Sequence, residues 1–139
     1  MDVEQVKQKL LAPRLDTAVK KEDGLSSGST MLNLACSGHP DYALTKGRYF
    51  WVVGDSASGK TFLTLKAFAD ASINPQFDGY DLVFDNAEDG ALMDVEKFFG
   101  PRLASRLQPP SIKDGQPVYS RTSEEFYFNL DDRLSAAEK

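Results

Sequence analysis

Residues 54–61 read Gly54-Asp55-Ser56-Ala57-Ser58-Gly59-Lys60-Thr61. This stretch fills every fixed position of the phosphate-loop pattern GxxxxGK[ST]. A polyphosphate presents several adjacent anionic oxygens, and a short glycine-punctuated loop can turn its backbone N–H groups inward to bind them. At Gly59 the missing side chain permits a positive φ and a close approach of the backbone to those oxygens. The stretch therefore predicts a phosphate-binding loop.

The end of the pattern assigns roles to individual side chains. Lys60 is expected to reach the β and γ phosphates of a nucleotide, and Thr61 to offer its hydroxyl to Mg²⁺. The helix that begins there directs the positive end of its dipole at the anion. The predicted nucleotide contacts run from Gly54 to Phe62, with Thr61 as the metal ligand and Lys60 also acting in catalysis.

The segments on both sides of the loop fit a strand, loop and helix order. Residues 48–53 are aromatic and β-branched without alternation, which is typical of a parallel strand buried on both faces. Residues 61–72 contain no Gly or Pro, which predicts a helix. One face of that helix carries Leu65, Phe68, Ala69 and Ser72.

Composition limits the classes of function. The chain of 139 residues is 41% hydrophobic and 27% charged, which suits one domain with its own core. A net charge of −5 argues against a self-sufficient nucleic-acid surface, because neutralising phosphates needs clustered Lys and Arg. Any DNA contact is therefore expected to be local or to lie outside this chain.

Targeting and redox signals are sparse. Apolar runs fall short of the ~20 residues that span a bilayer, and the charged first ten residues carry no signal-peptide core. We therefore expect a cytoplasmic protein without membrane contact. Cys36 is the single cysteine and lies in the apolar run 31–36, so we expect a core thiol and no intrachain disulfide.

Two units follow from this patterning. We expect residues 1–23 to form an amphipathic helix over 2–11, which Pro13 terminates, and a charged linker. Residues 24–139 are expected to form the core. Within the core, Ser29 or Thr30 can cap a helix that runs through Ala35.

An acidic cluster follows the second predicted strand, at 80–84. Asp85 and its neighbours up to Gly90 come at the carboxyl end of that strand, and in an open parallel sheet they would face the same crevice as the phosphate loop. A helix is expected over 91–99, ended by Gly100 and Pro101. A third strand is expected over 117–120.

Three interpretations of the acidic cluster compete. Residues 85–96 partly match a calcium loop, but Ala87 offers no ligand at the third position and a strand stands where that loop needs a helix. Glu88 could instead orient and deprotonate the water that attacks the γ-phosphate. The plainest alternative is that these carboxylates cap the following helix. The residues alone leave the last two equal.

The final segment has a clear helix start. Thr122 and Glu125 stand at capping-box spacing, and Phe126, Leu130 and Leu134 follow on one face.

Taken in order, segments 25–29, 34–35, 46–48, 54–61, 63–65 and 84–92 resemble the N-terminal half of the RecA-type recombinase ATPase core. The chain looks most like the RecA-like proteins of bacteriophages, over residues 25–135. The resemblance implies an α/β P-loop NTPase fold, a three-layer sandwich with a mostly parallel sheet between helices. It implies MgATP as the ligand, with Glu88 as the carboxylate that activates water. It also implies assembly into filaments or rings on DNA, single-stranded for preference, in recombination and repair.

This chain departs from the family pattern in places. Asp55 stands where the bacterial members have proline, and Val95 falls near the place of their adenine-stacking tyrosine. The family's later strand, which ends in a magnesium-associated Asp, and its DNA-binding loops have no counterpart before Lys139. The resemblance therefore implies a core that is incomplete at its C-terminus, with weaker turnover than an intact member.

Two other functions stay open. The same loop serves kinases that transfer a phosphoryl group to a small molecule or a nucleotide, although no cluster of acceptor-binding arginines is evident. A half-domain without catalysis could also bind full-length partners through the helix at 3–11.

Overall fold

The computed structural model of the chain describes residues 21–87 and 93–137. The helix expected over 2–11 lies outside these ranges. So do Glu88, Asp89 and the residues at which the helix over 91–99 was expected to begin.

The described strands and α-helices are mostly short. In chain order they are β1 (Gly24–Leu25), α1 (Thr30–Ser37), β2 (Leu44–Thr45), α2 (Lys60–Ile73), β3 (Leu82–Val83), α3 (Val95–Phe99), α4 (Pro101–Arg106), β4 (Leu107–Gln108), β5 (Ser111–Lys113), β6 (Gln116–Val118) and α5 (Ser123–Ala137).

Helix α1 begins and ends as its sequence dictates. The Oγ of Ser29 accepts a hydrogen bond from the N–H of Leu32 at 3.4 Å, which confirms the predicted cap. Gly38 follows the helix with φ 73°, a left-handed conformation that suits glycine. The helix runs two residues beyond Ala35, to Ser37.

Helix α2 is the central element. Its predicted span is confirmed, and it extends by one residue at each end. Leu65 and Ser72 are buried as the predicted face requires, and so are the small side chains of Ala67, Ala69 and Ala71. The helix ends at Asn74, whose Oδ1 accepts from the N–H of Gln76.

The strands pair in three small sheets. Strands β1 and β2 are antiparallel, with Leu25 opposite Leu44. Strands β3 and β4 are parallel, with Leu82 opposite Leu107. Strands β5 and β6 form an antiparallel hairpin. The third strand, expected over 117–120, is β6 and spans 116–118.

The core lies between α2, β3 and α4. Its buried side chains are Ala69, Ala71, Phe77, Leu82 and Leu103. Half-buried apolar side chains from β1, α2, α3 and β4 pack around them, including Phe68 of the predicted face. Leu103 of α4 is completely buried, so the helix that follows Gly100 is part of this core.

Two expectations about the core are wrong. Residues 48–53 form no strand, and Tyr49, Trp51 and Val53 are exposed by 91%, 91% and 89%. In the part of the chain that the structure describes, no neighbouring strand pairs with this segment, and an unpaired strand is not stable. Cys36 is exposed and is no core thiol, because α1 buries Asn33 rather than its apolar run.

Helix α5 has the N-terminal cap that the sequence predicts, but its apolar face is not buried. The Oγ1 of Thr122 accepts from the N–H of Glu125 at 3.2 Å, and a carboxylate oxygen of Glu125 accepts from the N–H of Arg121 at 2.6 Å. The helix has no buried residue, and Phe126 and Leu134 of the apolar face are exposed. Within 21–87 and 93–137, no helix combines the length and the apolar character needed to cross a bilayer.

Candidate phosphate-binding cleft

The phosphate loop has the backbone shape that its glycines predict. Gly59 has φ 88°, and a Cβ built there would meet nothing within 4 Å in the described chain apart from the two neighbouring residues. Ala57 also has a positive φ of 61°, which is unusual for a residue with a side chain. The N–H of Ser58 donates to the carbonyl of Asp55 at 3.2 Å and closes a turn. Gly59 therefore serves the backbone conformation and leaves open space beside it.

The start of helix α2 leaves backbone donors without partners in the helix. The N–H of Leu63 donates to the carbonyl of Gly59 at 2.9 Å. The amides before it, those of Lys60, Thr61 and Phe62, have no earlier carbonyl in the helix to reach. Gly59 has no side chain that could cap them. These N–H groups and the helix dipole make this end suited to an anion.

Lys60 is hydrogen-bonded to the loop itself. Its Nζ donates to the carbonyl of Gly54 at 2.8 Å and to that of Asp55 at 2.7 Å. Both acceptors lie at the opposite end of the loop from Lys60. The side chain of Lys60 therefore spans the loop from its last residues to its first. A phosphate bound at the loop would replace the two carbonyls as acceptors for the ammonium.

The loop borders an open cleft of about 790 Å³, named here the phosphate cleft. Its walls come from the loop with the start of α2, from the segment after β3, and from Met93, two residues before α3. The lining residues are Ser56, Ala57, Ser58, Gly59, Lys60, Thr61, Phe62, Phe84, Asp85, Asn86, Ala87 and Met93. The structure thus brings together most of the predicted contacts, with Gly54 and Asp55 outside the lining.

Asp85 is the acidic side chain that borders the phosphate cleft in the described chain. Its Oδ1 accepts a hydrogen bond from the N–H of Ser120 at 2.9 Å. Its Oδ2 is buried and has no hydrogen-bond partner among the described residues. The Oγ of Ser120 in turn accepts from the side-chain amide of Asn129 on α5, at 2.9 Å. Asp85 therefore joins the cleft to the last helix.

The three interpretations of the acidic cluster fare differently. Helix α3 is capped by Asp94, whose Oδ1 accepts from the N–H of Lys97 at 3.0 Å, so Asp85 does not cap it. In residues 21–87 and 93–137, no group of three or more His, Cys, Asp and Glu side chains could hold a metal ion. Asp89 and Gly90 of the possible calcium loop lie outside these ranges, so that interpretation stays a prediction. Glu88, predicted to activate water, lies outside the described residues.

A smaller cleft of about 520 Å³ adjoins the phosphate cleft. Asn86 and Ala87 line both clefts, and residues 117–121 with Glu125 form the far wall of the smaller one. Arg121 is the basic side chain that lines it. A molecule larger than a phosphate group could therefore extend from one cleft into the other.

Two of the residues that shape this region were not predicted. Asp94 had a local signal, since an Asp directly before a helix with Glu96 in its first turn is a typical start. The contact between Asp85 and Ser120 joins positions 35 apart, so no local pattern indicates it. Comparisons of this chain with family models, with curated proteins and with solved structures gave no match.

Proposed function

We propose that this chain is the ATP-binding part of a RecA-like DNA-dependent ATPase that acts in DNA recombination and repair. Residues 54–62 would hold the phosphates of MgATP, with Lys60 against the β and γ phosphates. Thr61 would offer its hydroxyl to the magnesium ion. A bound cation there would supply charge neutralisation of the triphosphate. The proposal places the protein in the cytoplasm, where ATP and DNA are found.

One observation carries the proposal. A loop with the full GxxxxGK[ST] pattern precedes a helix of 14 residues, and the helix N–H groups at that end have no side-chain cap. The open space at Gly59 adjoins those N–H groups, and the ammonium of Lys60 lies beside the same loop. These groups fit a polyphosphate, because it needs several converging donors and one mobile positive charge.

Hydrolysis is assigned to Glu88 through the family resemblance. A carboxylate at that position would orient the attacking water and accept its proton. Replacement of Glu88 by Gln keeps the size of the side chain and removes the base. We expect E88Q to bind ATP as the unaltered chain does and to lose any release of phosphate.

The test of the proposal is an equilibrium titration of the 139-residue chain with ATP in the presence of Mg²⁺. We expect saturable binding by the unaltered chain and a loss of at least about a hundredfold in affinity for Lys60→Ala, since a charge-assisted contact to phosphate is removed. Lys113→Ala, on the exposed strand β5, is the matched control and should bind as the unaltered chain does. Equal affinity of the Lys60→Ala and unaltered chains would overturn the assignment of the loop.

A phosphotransferase is the second candidate, and the adjoining cleft favours it. An acceptor molecule bound along residues 117–121 would lie next to the phosphate cleft through Asn86 and Ala87. Among the described residues, one arginine, Arg121, lines that wall. An anionic acceptor would need more positive charge than one arginine supplies. Incubation with γ-labelled ATP and a panel of small acceptors discriminates, because transfer of label to an acceptor supports the kinase and release of free phosphate supports the ATPase.

A binding half-domain is the third candidate. The helix at 3–11, through which the sequence predicted partner binding, lies outside the described residues. The exposed segment 48–53 favours instead a form of this candidate that associates with further copies of the same chain. Three large apolar side chains in six residues are almost fully exposed there, which exceeds the scattered exposure that is ordinary for a monomer. Sedimentation at increasing protein concentration tests this function without ATP. Association that is lost in the double variant Tyr49→Ser and Trp51→Ser would support it, and a monomer at all concentrations would count against self-association.

A further inference from the structure

The phosphate cleft has apolar walls that a bare polyphosphate cannot use. Among its described lining residues, Phe62, Phe84 and Met93 bring large apolar side chains next to the hydroxyls and the ammonium of the loop. Phosphate oxygens need charges and hydrogen-bond donors, whereas apolar walls with a few polar groups are typical of sites for small organic ligands. The volume of about 790 Å³ is also in the range of such sites. The cleft therefore fits a ligand that has an apolar part besides its phosphates.

Phe62 is the apolar lining residue that adjoins the predicted phosphate contacts. It follows Thr61 directly and is the third residue of helix α2. Because successive residues of an α-helix are turned by about 100°, its side chain leaves the helix on a different side from that of Thr61. The ring meets Phe99 of α3, with the two ring centroids 5.0 Å apart and the ring planes at 46°. The ring of Phe62 therefore lies on the side of α2 that faces α3.

Phe62 is held in place without being covered. Phe99 is half-buried and packs against the hydrophobic core, so it gives the ring of Phe62 a fixed support. Phe62 itself is 46% exposed and lines the cleft. An aromatic side chain has few rotatable bonds, and one that is already supported loses little freedom when a ligand packs on it. The exposed part of its π-system is thus available to a second aromatic group.

We propose that Phe62 stacks on the base of a nucleotide whose phosphates lie at the loop. The inference rests on the proposed function, since it concerns the ligand of the same cleft. In a nucleotide the ribose separates the base from the phosphates, so the base extends away from the loop along a wall of the cleft. Phe62 stands at the end of the loop, on the wall that leads to α3.

Stacking on Phe62 implies a particular kind of selectivity. Every base has a π-face, so a stacking contact is one that all bases can make. A polyphosphate without a base has no such face. Phe62 therefore distinguishes a nucleotide from a bare polyphosphate and does not by itself select one base.

The experiment compares two ligands of the whole 139-residue chain, ATP and inorganic tripolyphosphate, by calorimetry in buffer with Mg²⁺. Both present a chain of linked phosphates, and ATP adds the base. Phe62→Leu keeps an apolar contact with Phe99 and removes the π-face. We expect this variant to bind ATP at least about fivefold more weakly and to bind tripolyphosphate within about twofold of the unaltered chain. Phe62→Tyr keeps the ring and should bind both ligands as the unaltered chain does.

The control removes an aromatic ring elsewhere. Phe126 on α5 is 45% exposed, close to the value for Phe62, and is not among the described residues that line the cleft. Phe126→Leu should change neither affinity. An equal loss of both ligands in Phe62→Leu, or an unchanged affinity for ATP, would overturn the inference and leave the proposed function standing. Absence of binding of both ligands by the unaltered chain would overturn both.

A second measurement needs no variant and locates the base directly. Nuclear Overhauser effects are recorded between the protons of the adenine base in bound ATP and the side chains of the isotope-labelled, unaltered chain. We expect such effects between the base and the ring of Phe62, together with an upfield shift of the base protons, because stacked rings are in direct contact. Effects from the base to other side chains and none to Phe62 would overturn the inference.

Discussion

The guanidinium of Arg106 donates a hydrogen bond to the carbonyl of Ser72 at 3.1 Å, across 34 positions of the chain. Its other N–H groups reach the carbonyls of Ala71, Phe77 and Tyr80. The last carbonyls of a helix lack an N–H partner within it, and this one side chain at the end of α4 supplies donors to those of Ala71 and Ser72. Arg106 thereby fixes the end of α2 opposite to the phosphate loop.

Arg106→Ala is expected to lower the free energy of unfolding by about 2 kcal/mol, because buried carbonyls lose charge-assisted donors. Urea unfolding followed by circular dichroism measures the change. Arg102→Ala is the matched control, since that side chain is 59% exposed and pairs only loosely with Asp78 at 3.9 Å. The control should change stability by less than about 0.5 kcal/mol. Equal effects of the two variants would contradict the role of Arg106.

Gly59→Ala tests the backbone of the phosphate loop. A residue with a Cβ at φ 88° is strained, and we expect a loss of about 1–2 kcal/mol of stability together with weaker ATP binding. Gly79→Ala is the control, because a Cβ there also meets nothing within 4 Å but the backbone is not in the left-handed region. That variant should keep its stability or gain slightly. A Gly59→Ala chain as stable as the unaltered one would show that the loop relaxes at no cost.

Asp70 makes stability depend on pH. Burial raises the pKa of this carboxyl above its ordinary value of 3.8, and the backbone of Ser26 and the charge of Lys66 offset the rise in part. Because the folded chain holds this proton more tightly than the unfolded chain, Asp70 favours folding at low pH, and its contribution falls as pH rises through the folded pKa.

Asp70→Asn should therefore raise the unfolding temperature at pH 7, and the gain should disappear below the ordinary pKa of the carboxyl. Thermal unfolding of both chains from pH 3 to pH 7 measures the difference. Asp114→Asn serves as the control for loss of one negative charge on an exposed turn. A gain that grows as pH falls would contradict the direction of the pKa shift.

Trp51 reports directly on the segment before the phosphate loop. It is the single tryptophan of the chain and is 91% exposed. We expect its fluorescence in the native chain to resemble that in urea, with ready quenching by acrylamide, because water surrounds the indole in both states. A native emission clearly shifted to the blue would instead show a buried strand, as the sequence alone predicts.

The features that were predicted correctly from the sequence depend on residues close together in the chain. The caps at Ser29 and Thr122 and the span of α2 depend on neighbours within one helical turn, so the residue types suffice. Asp85 was also expected at the loop's crevice, because the predicted parallel sheet would bring the carboxyl end of the strand at 80–84 beside the loop. The structure places Asp85 and the loop on one cleft.

Features that depend on contacts between residues far apart in the chain could not be predicted from the sequence. Residues 48–53 have strand propensity, but a strand forms only where another strand pairs with it, and propensity does not supply the partner. Cys36 lies in an apolar run, yet α1 turns the polar Asn33 inward, where its side chain bonds Ser27 and Pro40. Arg106 and Ser120 act across more than thirty positions, so no local spacing marks them.

The two hydrogen bonds of Lys60 bear on the heat of ligand binding. Its ammonium already has the carbonyls of Gly54 and Asp55 as acceptors, so a bound phosphate exchanges partners for this side chain rather than adding new ones. The helix amides at Thr61 and Phe62 have no such partner in the helix to give up. The favourable enthalpy of anion binding should therefore come mainly from the backbone N–H groups, while Lys60 contributes its positive charge. When Lys60 turns to the phosphate, the loop loses the two hydrogen bonds from Lys60 to the carbonyls of Gly54 and Asp55.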